Sequence, residues 1–222
     1  MRTRSPWPGS WWLAAGSAAL FVVLTALVVT DTTHAVDSWG IRELRPGLVW
    51  GSGQVWLAPW MTRLEPVRMY ALLAVVAVVL SVRRRSWWPL AFAAAITAVS
   101  SVLAVVLKNL VHRGDPVGYV PPTGGSYPSG HMIAIVVALG GCLLLLFRRV
   151  PWWLWLLVAA AAGCLALTML VIAAHWPSDA LGGVLLGVAV VAAMSRTPLR
   201  QRAHDSPDRR PAAAEASRSD AG

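Results

Sequence analysis

Two histidines stand at the edges of long apolar stretches, each in a short polar setting: His131 closes Tyr127 to His131, YPSGH, and His175 opens His175 to Asp179, HWPSD. A carboxylate four residues after a histidine lies one helical turn along. Asp179 can therefore accept a hydrogen bond from one imidazole nitrogen of His175 and leave the other free as a nucleophile. Pro177 between them suits the first position of a helix. The plainer reading is an interfacial histidine followed by an acidic residue at a membrane helix end, where a carboxylate is cheap.

In YPSGH, Pro128 stops any preceding helix, and Ser129 and Gly130 expose backbone N–H groups at the start of the next one, where the helix dipole is positive. Such a terminus binds phosphate, and His131 in its first turn is suited to donate a proton to a leaving oxygen. A plain helix cap with an interfacial histidine is the alternative. A third segment, Lys108 to Pro116 (KNLVHRGDP), carries Lys108 and Arg113, a point charge and a bidentate donor for phosphate oxygens. Snorkelling of both to the membrane surface is the competing reading. His112 reads as a surface or packing histidine.

These segments need elements to hold them. With 57% hydrophobic and 13% charged residues in 222, the chain is too apolar for a soluble domain. Six apolar runs approach or exceed the roughly 20 residues that cross a bilayer: Trp11 to Thr30, Arg68 to Val82, Trp87 to Leu107, His131 to Phe147, Trp152 to Ala174 and Ala180 to Met194. The expected fold is all-α, a polytopic membrane bundle of six transmembrane helices over residues 11–194. The first run is read as a retained helix rather than a cleaved signal peptide, because it is longer than a usual signal core.

The net charge of +9 follows from topogenic clusters rather than from nucleic-acid binding. Arg2 and Arg4, Arg83 to Arg85, Arg148 and Arg149, and the arginines after Met194 all fall on one side if both termini are cytoplasmic. Residues 1–10 and 195–222 are then cytoplasmic, the latter a polar tail rich in Pro, Ala, Ser and Arg that reads as disordered. The three polar segments converge on the extracytoplasmic face. There the loop 31–67 carries Ile41, Leu44 and Leu48, then Trp56, Leu57, Trp60, Met61 and Leu64, at helical spacing. This predicts two short helices, lying in the headgroup region or packed against the span ends. Cys142 and Cys164 fall within spans and suggest neither a disulfide nor a zinc site.

In order and spacing the three segments resemble the type 2 phosphatidic acid phosphatase superfamily, which includes the vanadium haloperoxidases. PSGH is intact, and HWPSDALGG is similar to the family's third motif from its histidine onward. Asp115 stands where an arginine precedes the proline of the first motif, and Thr168 and Met169 stand where the third has Ser-Arg. The resemblance implies hydrolysis of a lipid phosphate or diphosphate of polyprenyl diphosphate or phosphatidic acid type, with no metal or cofactor. His175 would form a phosphohistidine, Asp179 would orient it and His131 would protonate the leaving group. Lys108, Arg113, Ser129 and Gly130 would hold the phosphoryl oxygens. Lys108, Arg113, a protonated His131 and the helix terminus offset a phosphate charge of about −2. The partners implied are the substrate and membrane lipids. The alternative is a non-catalytic lipid-binding or scaffold membrane protein that keeps the fold.

Overall fold

The computed structural model of the chain describes residues 10–120 and 124–205. Nine helices occur among them: α1 (Ser10–Val29), α2 (His34–Leu44), α3 (Ser52–Arg63), α4 (Pro66–Arg84), α5 (Trp88–Val111), α6 (Gly130–Leu146), α7 (Trp152–Val171), α8 (Pro177–Met194) and α9 (Pro198–His204). By length and composition α1, α4, α5, α7 and α8 can each cross a membrane. The fourth expected span, α6, is only 17 residues, about 25 Å of helix and at the lower limit for a crossing.

The position of α6 follows from its sequence. It is apolar on every face and packs against α4, α5, α7 and α8, so Met132 to Ala138 are buried without interruption. Close approach comes from glycines. On α8, Gly183 and Gly187 form a small-xxx-small pair against α6. A Cβ at Gly183 would lie 2.6 Å from the Ser129 carbonyl oxygen and 2.7 Å from Met132 Cβ, and one at Gly187 2.9 Å from Val136 Cβ.

The loop after α1 forms the two expected short helices, α2 and α3, joined by a 3-10 turn at Pro46–Leu48. Of the two readings of this loop, α2 follows the packing one. Ile41 and Asp37, one turn apart, are buried against α7 and α8. Arg45 and Gln54 reach the end of α7, where Arg45 Nη1 donates to Ile172 O at 2.6 Å and Gln54 Nε2 to Val171 O at 3.3 Å. Those carbonyls would otherwise be orphaned at a helix C-terminus. On α3, Trp56 remains 79% exposed and Trp60 is exposed as well, the pattern of an interfacial belt.

The polar segment after Met194 differs from the disordered tail expected for it. Residues 198–204 form α9, and residues 206–222 lie outside the described residues. Pro198 starts the helix, and its side chains satisfy the last carbonyls of α6: His204 Nε2 meets Leu144 O at 2.8 Å and Arg200 Nη2 donates to Phe147 O at 3.2 Å. Arg84 ties the same end together, donating to Ala203 O at 2.6 Å and Leu145 O at 2.9 Å. The basic clusters therefore gather at the end of the bundle opposite the start of α6.

Substituting Gly183→Val, which drives a side chain into the α6 backbone, is expected to cost about 1–3 kcal/mol. Gly163→Ala on α7, where an added Cβ meets nothing within 4 Å, is expected to be neutral. Thermal unfolding in detergent compares the two.

Candidate active site

Lys108 lies in the last turn of α5, which stops at His112 in the left-handed region with φ 50°. His112 is exposed, as its sequence setting suggested. The chain then returns along the helix end: Gly125 N donates to Lys108 O at 3.0 Å and Ser126 N to Arg113 O at 2.7 Å. Gly124, at φ 103°, lies so close that a Cβ there would be 2.8 Å from Lys108 Cβ. The return holds the ammonium in place, with Lys108 Nζ donating to Gly125 O at 2.7 Å.

The same return leads into α6. Ser129 is its N-cap residue, and Ser129 N donates to Asp179 O at 3.0 Å, so the starts of α6 and α8 are locked together. Asp179, the third residue of α8, has no solvent exposure. Its Oδ2 accepts from Trp176 N at 3.1 Å and lies 3.4 Å from His175 Nδ1, and its Oδ1 accepts from Arg113 Nη1 at 2.9 Å. This leaves His175 Nε2 as the nitrogen away from the carboxylate.

His131 and His175 face each other, with ring centroids 6.3 Å apart and planes at 70°. Both line a cavity of about 350 Å³ together with Lys108, Asp115, Ser126 and Gly130. His131 Nε2 is buried with no hydrogen-bond partner among the described residues, an arrangement that calls for a ligand or a functional role. The cavity thus collects an ammonium, two imidazoles and a helix N-terminus, a set suited to holding and transferring a phosphoryl group.

Two expected phosphate ligands point elsewhere. Arg113 donates from Nη2 to Asp37 Oδ2 at 2.7 Å and from Nη1 to Ser178 Oγ at 2.7 Å as well as to Asp179, and its guanidinium lies 5.2 Å from the Trp176 ring centroid. Three of its five N–H donors are thus committed, two of them to buried carboxylates, and Arg113 is not among the residues lining the cavity. Ser129 Oγ is directed at Met169 Sδ, 3.7 Å away, and Ser129 is fully buried. Asp115 lines the cavity but is held in its loop, where Oδ1 accepts from Val117 N at 3.0 Å and Tyr119 N at 2.8 Å.

Asp37 was missed by the sequence reading. It is 1% exposed, and its carboxylate takes Ser178 N at 2.9 Å and Ser178 Oγ at 2.6 Å besides Arg113. The available signal was a carboxylate one turn before Ile41, on the apolar face of a short amphipathic helix. Burial alone would raise its pKa, but the hydrogen bonds from Arg113 and Ser178 outweigh burial and hold the carboxyl below its ordinary 3.8. A carboxyl so shifted stabilises the fold fully above that value and loses the contribution as pH falls through it. Asp37→Asn is therefore expected to destabilise the neutral protein by on the order of 3 kcal/mol. The gap from wild type should narrow as the pH falls below 3.8, as read by thermal unfolding across pH.

Residues 14–203 match the model of the PAP2 superfamily. The chain is 35% identical over 101 residues to an undecaprenyl-diphosphatase of Sulfolobus acidocaldarius, covering 40% of this chain and 47% of that protein. It is 27% identical over 137 residues to the bacitracin transport permease protein BcrC of Bacillus licheniformis, covering 58% and 56%. The chain spans about half the length of these curated relatives. Its fold is similar to the crystal structure of a transmembrane PAP2 type phosphatidylglycerolphosphate phosphatase from Bacillus subtilis, with a TM-score of 0.71 over 82% of this chain and 94% of that one at 17% identity. With the family match running from α1 into α9, the chain belongs to the PAP2 superfamily.

Proposed function

We propose that the protein is a membrane lipid phosphatase that hydrolyses a lipid phosphate or diphosphate through a phosphohistidine. The observation that carries this reading is the meeting of His131, His175 and Lys108 around one cavity at the end of the bundle. In the proposed reaction His175 Nε2 attacks phosphorus while Asp179 holds the Nδ1 proton and the growing positive charge of the ring. His131 Nε2 protonates the departing oxygen. It then takes a proton from the water that cleaves the phosphorus–nitrogen bond and releases phosphate. Lys108 and the N–H groups at the start of α6, with Gly130 leaving the approach open, hold the non-bridging oxygens as charge builds. Arg113 and Ser129 act behind this set, Arg113 by fixing Asp179 and Ser129 by joining α6 to α8.

A headgroup site at the end of an apolar bundle suits an amphiphile whose tail stays in lipid. Polyprenyl diphosphate is the first choice, supported by the likeness to an undecaprenyl-diphosphatase, and phosphatidic acid and phosphatidylglycerol phosphate fit the same chemistry. The gathering of Arg84, Arg148 and Arg200 around α9 at the other end supports a cytoplasmic position for that end and an extracytoplasmic one for the site.

Phosphate release from polyprenyl diphosphate, phosphatidic acid and phosphatidylglycerol phosphate, measured with purified wild type and His175→Ala, tests the proposal. The variant is expected to be at least about a thousandfold slower, and vanadate, which mimics pentacoordinate phosphorus, is expected to inhibit the wild type. Equal release by both proteins would reject the nucleophile, and no release by wild type from any of the three lipids would return the chain to a lipid-binding or scaffold role.

A further inference from the structure

A second, larger space lies away from the histidines. It is a groove of about 710 Å³ between α7 and α8, floored by α6, within the size range of sites that take a whole small ligand. Its floor runs from Met132 to Leu144, about 18 Å of helix. The walls are apolar and in part small, with Ala162 of α7 and Val188 of α8 facing across it, and an added Cβ on Gly163 of the same wall would meet nothing within 4 Å. Arg148, Arg149 and Arg200 rim the groove at the end away from the two histidines.

In a bilayer, an apolar groove of this length is filled by hydrocarbon, and the rim decides which lipid supplies it. Arg148 shares its charge with Asp205 at 3.2 Å and donates to His204 O at 2.6 Å, and Arg200 donates to the carbonyls of Phe147 and Arg148. Arg149 is exposed beside Trp152, itself 67% exposed, the level at which headgroups and aromatic belts meet. Among the described residues Arg148, Arg149 and Arg200 stand against one paired carboxylate, Asp205, which leaves the rim positive, so a phosphate without a compensating ammonium gains more there than a zwitterionic headgroup does.

We propose that this groove is a binding site for one anionic phospholipid, its phosphate at the Arg148–Arg149 rim and one acyl chain along α6. The site is distinct from the candidate active site and faces the opposite leaflet. The bound chain bridges α7 and α8, whose direct contact is slight, and its inner end reaches Met132, the residue after His131.

Native mass spectrometry of the full-length chain, with phosphatidylglycerol or phosphatidylcholine of identical acyl chains added to the detergent, tests this. Wild type is expected to retain one phosphatidylglycerol in preference to phosphatidylcholine. Arg149→Gln is expected to reduce that preference by about fivefold. Gly163→Leu, which fills open groove space, is expected to lose retention of both lipids, and Gly16→Leu, where an added Cβ likewise meets nothing within 4 Å, is expected to behave as wild type. Equal retention of the two lipids by wild type, or full retention by Gly163→Leu, would overturn the proposal. So would retention that depends on Lys108 rather than Arg149, since the lipid would then be held from the candidate active site.

Discussion

Arg113 lies between Asp37 and Asp179, two carboxylates with 1% and 0% exposure, and any one of the three without the others would be an uncompensated charge in a poorly solvated place. The arrangement is costly to form and costly to break, so it enforces one geometry. Asp37 comes from α2 in the loop after α1, Arg113 from the segment after α5, and Asp179 from the first turn of α8. One guanidinium therefore decides where three distant parts of the chain meet. His175 follows, because its Nδ1 faces the Asp179 oxygen that Arg113 does not occupy.

The helices supply the second half of the geometry. His131 can stand across from His175 only if α6 and α8 start at the same level and lie close together. The Ser129–Asp179 backbone hydrogen bond sets the level, and Gly183 and Gly187 set the distance. Apolar helices in lipid gain little from hydrophobicity alone when they associate, so packing of this closeness carries much of the specificity. The cavity is thus a consequence of one ionic and one steric constraint acting at the same end of the bundle.

Much of this was legible in the sequence because lipid imposes strong rules. The spans appear as apolar runs since backbone groups must be satisfied within the helix. Histidines and a lysine interrupting such runs stand out against them. The convergence of Lys108, His131 and His175 required only an alternating topology, and the two loop helices showed in the spacing of Ile41 and Leu44. What was hidden depends on partners far apart in the chain. Arg113 looked like a phosphate ligand because Asp37, 76 residues earlier, carried no motif. Counting cations near the motifs overstated the positive charge, since Asp37 and Asp179 both draw on Arg113. Ser129 sat in the right tetrapeptide but turns toward Met169, which only tertiary packing reveals. Composition alone predicts disorder for the tail. Its first turns fold because their arginines and His204 find the unsatisfied carbonyls at the end of α6.

The central claim is that two imidazoles act on one phosphorus, His131 from the first turn of α6 and His175 from the turn that precedes α8, with His175 Nε2 as the atom that bonds to it. Rapid quenching in alkali during turnover of a phosphorus-labelled lipid diphosphate, followed by peptide mapping, observes that bond directly. The account requires label on His175, and it requires label still to form there in His131→Ala when the substrate carries a leaving group that needs no proton. Label on His131, or steady turnover with no protein-bound phosphate at any quench time, would contradict it.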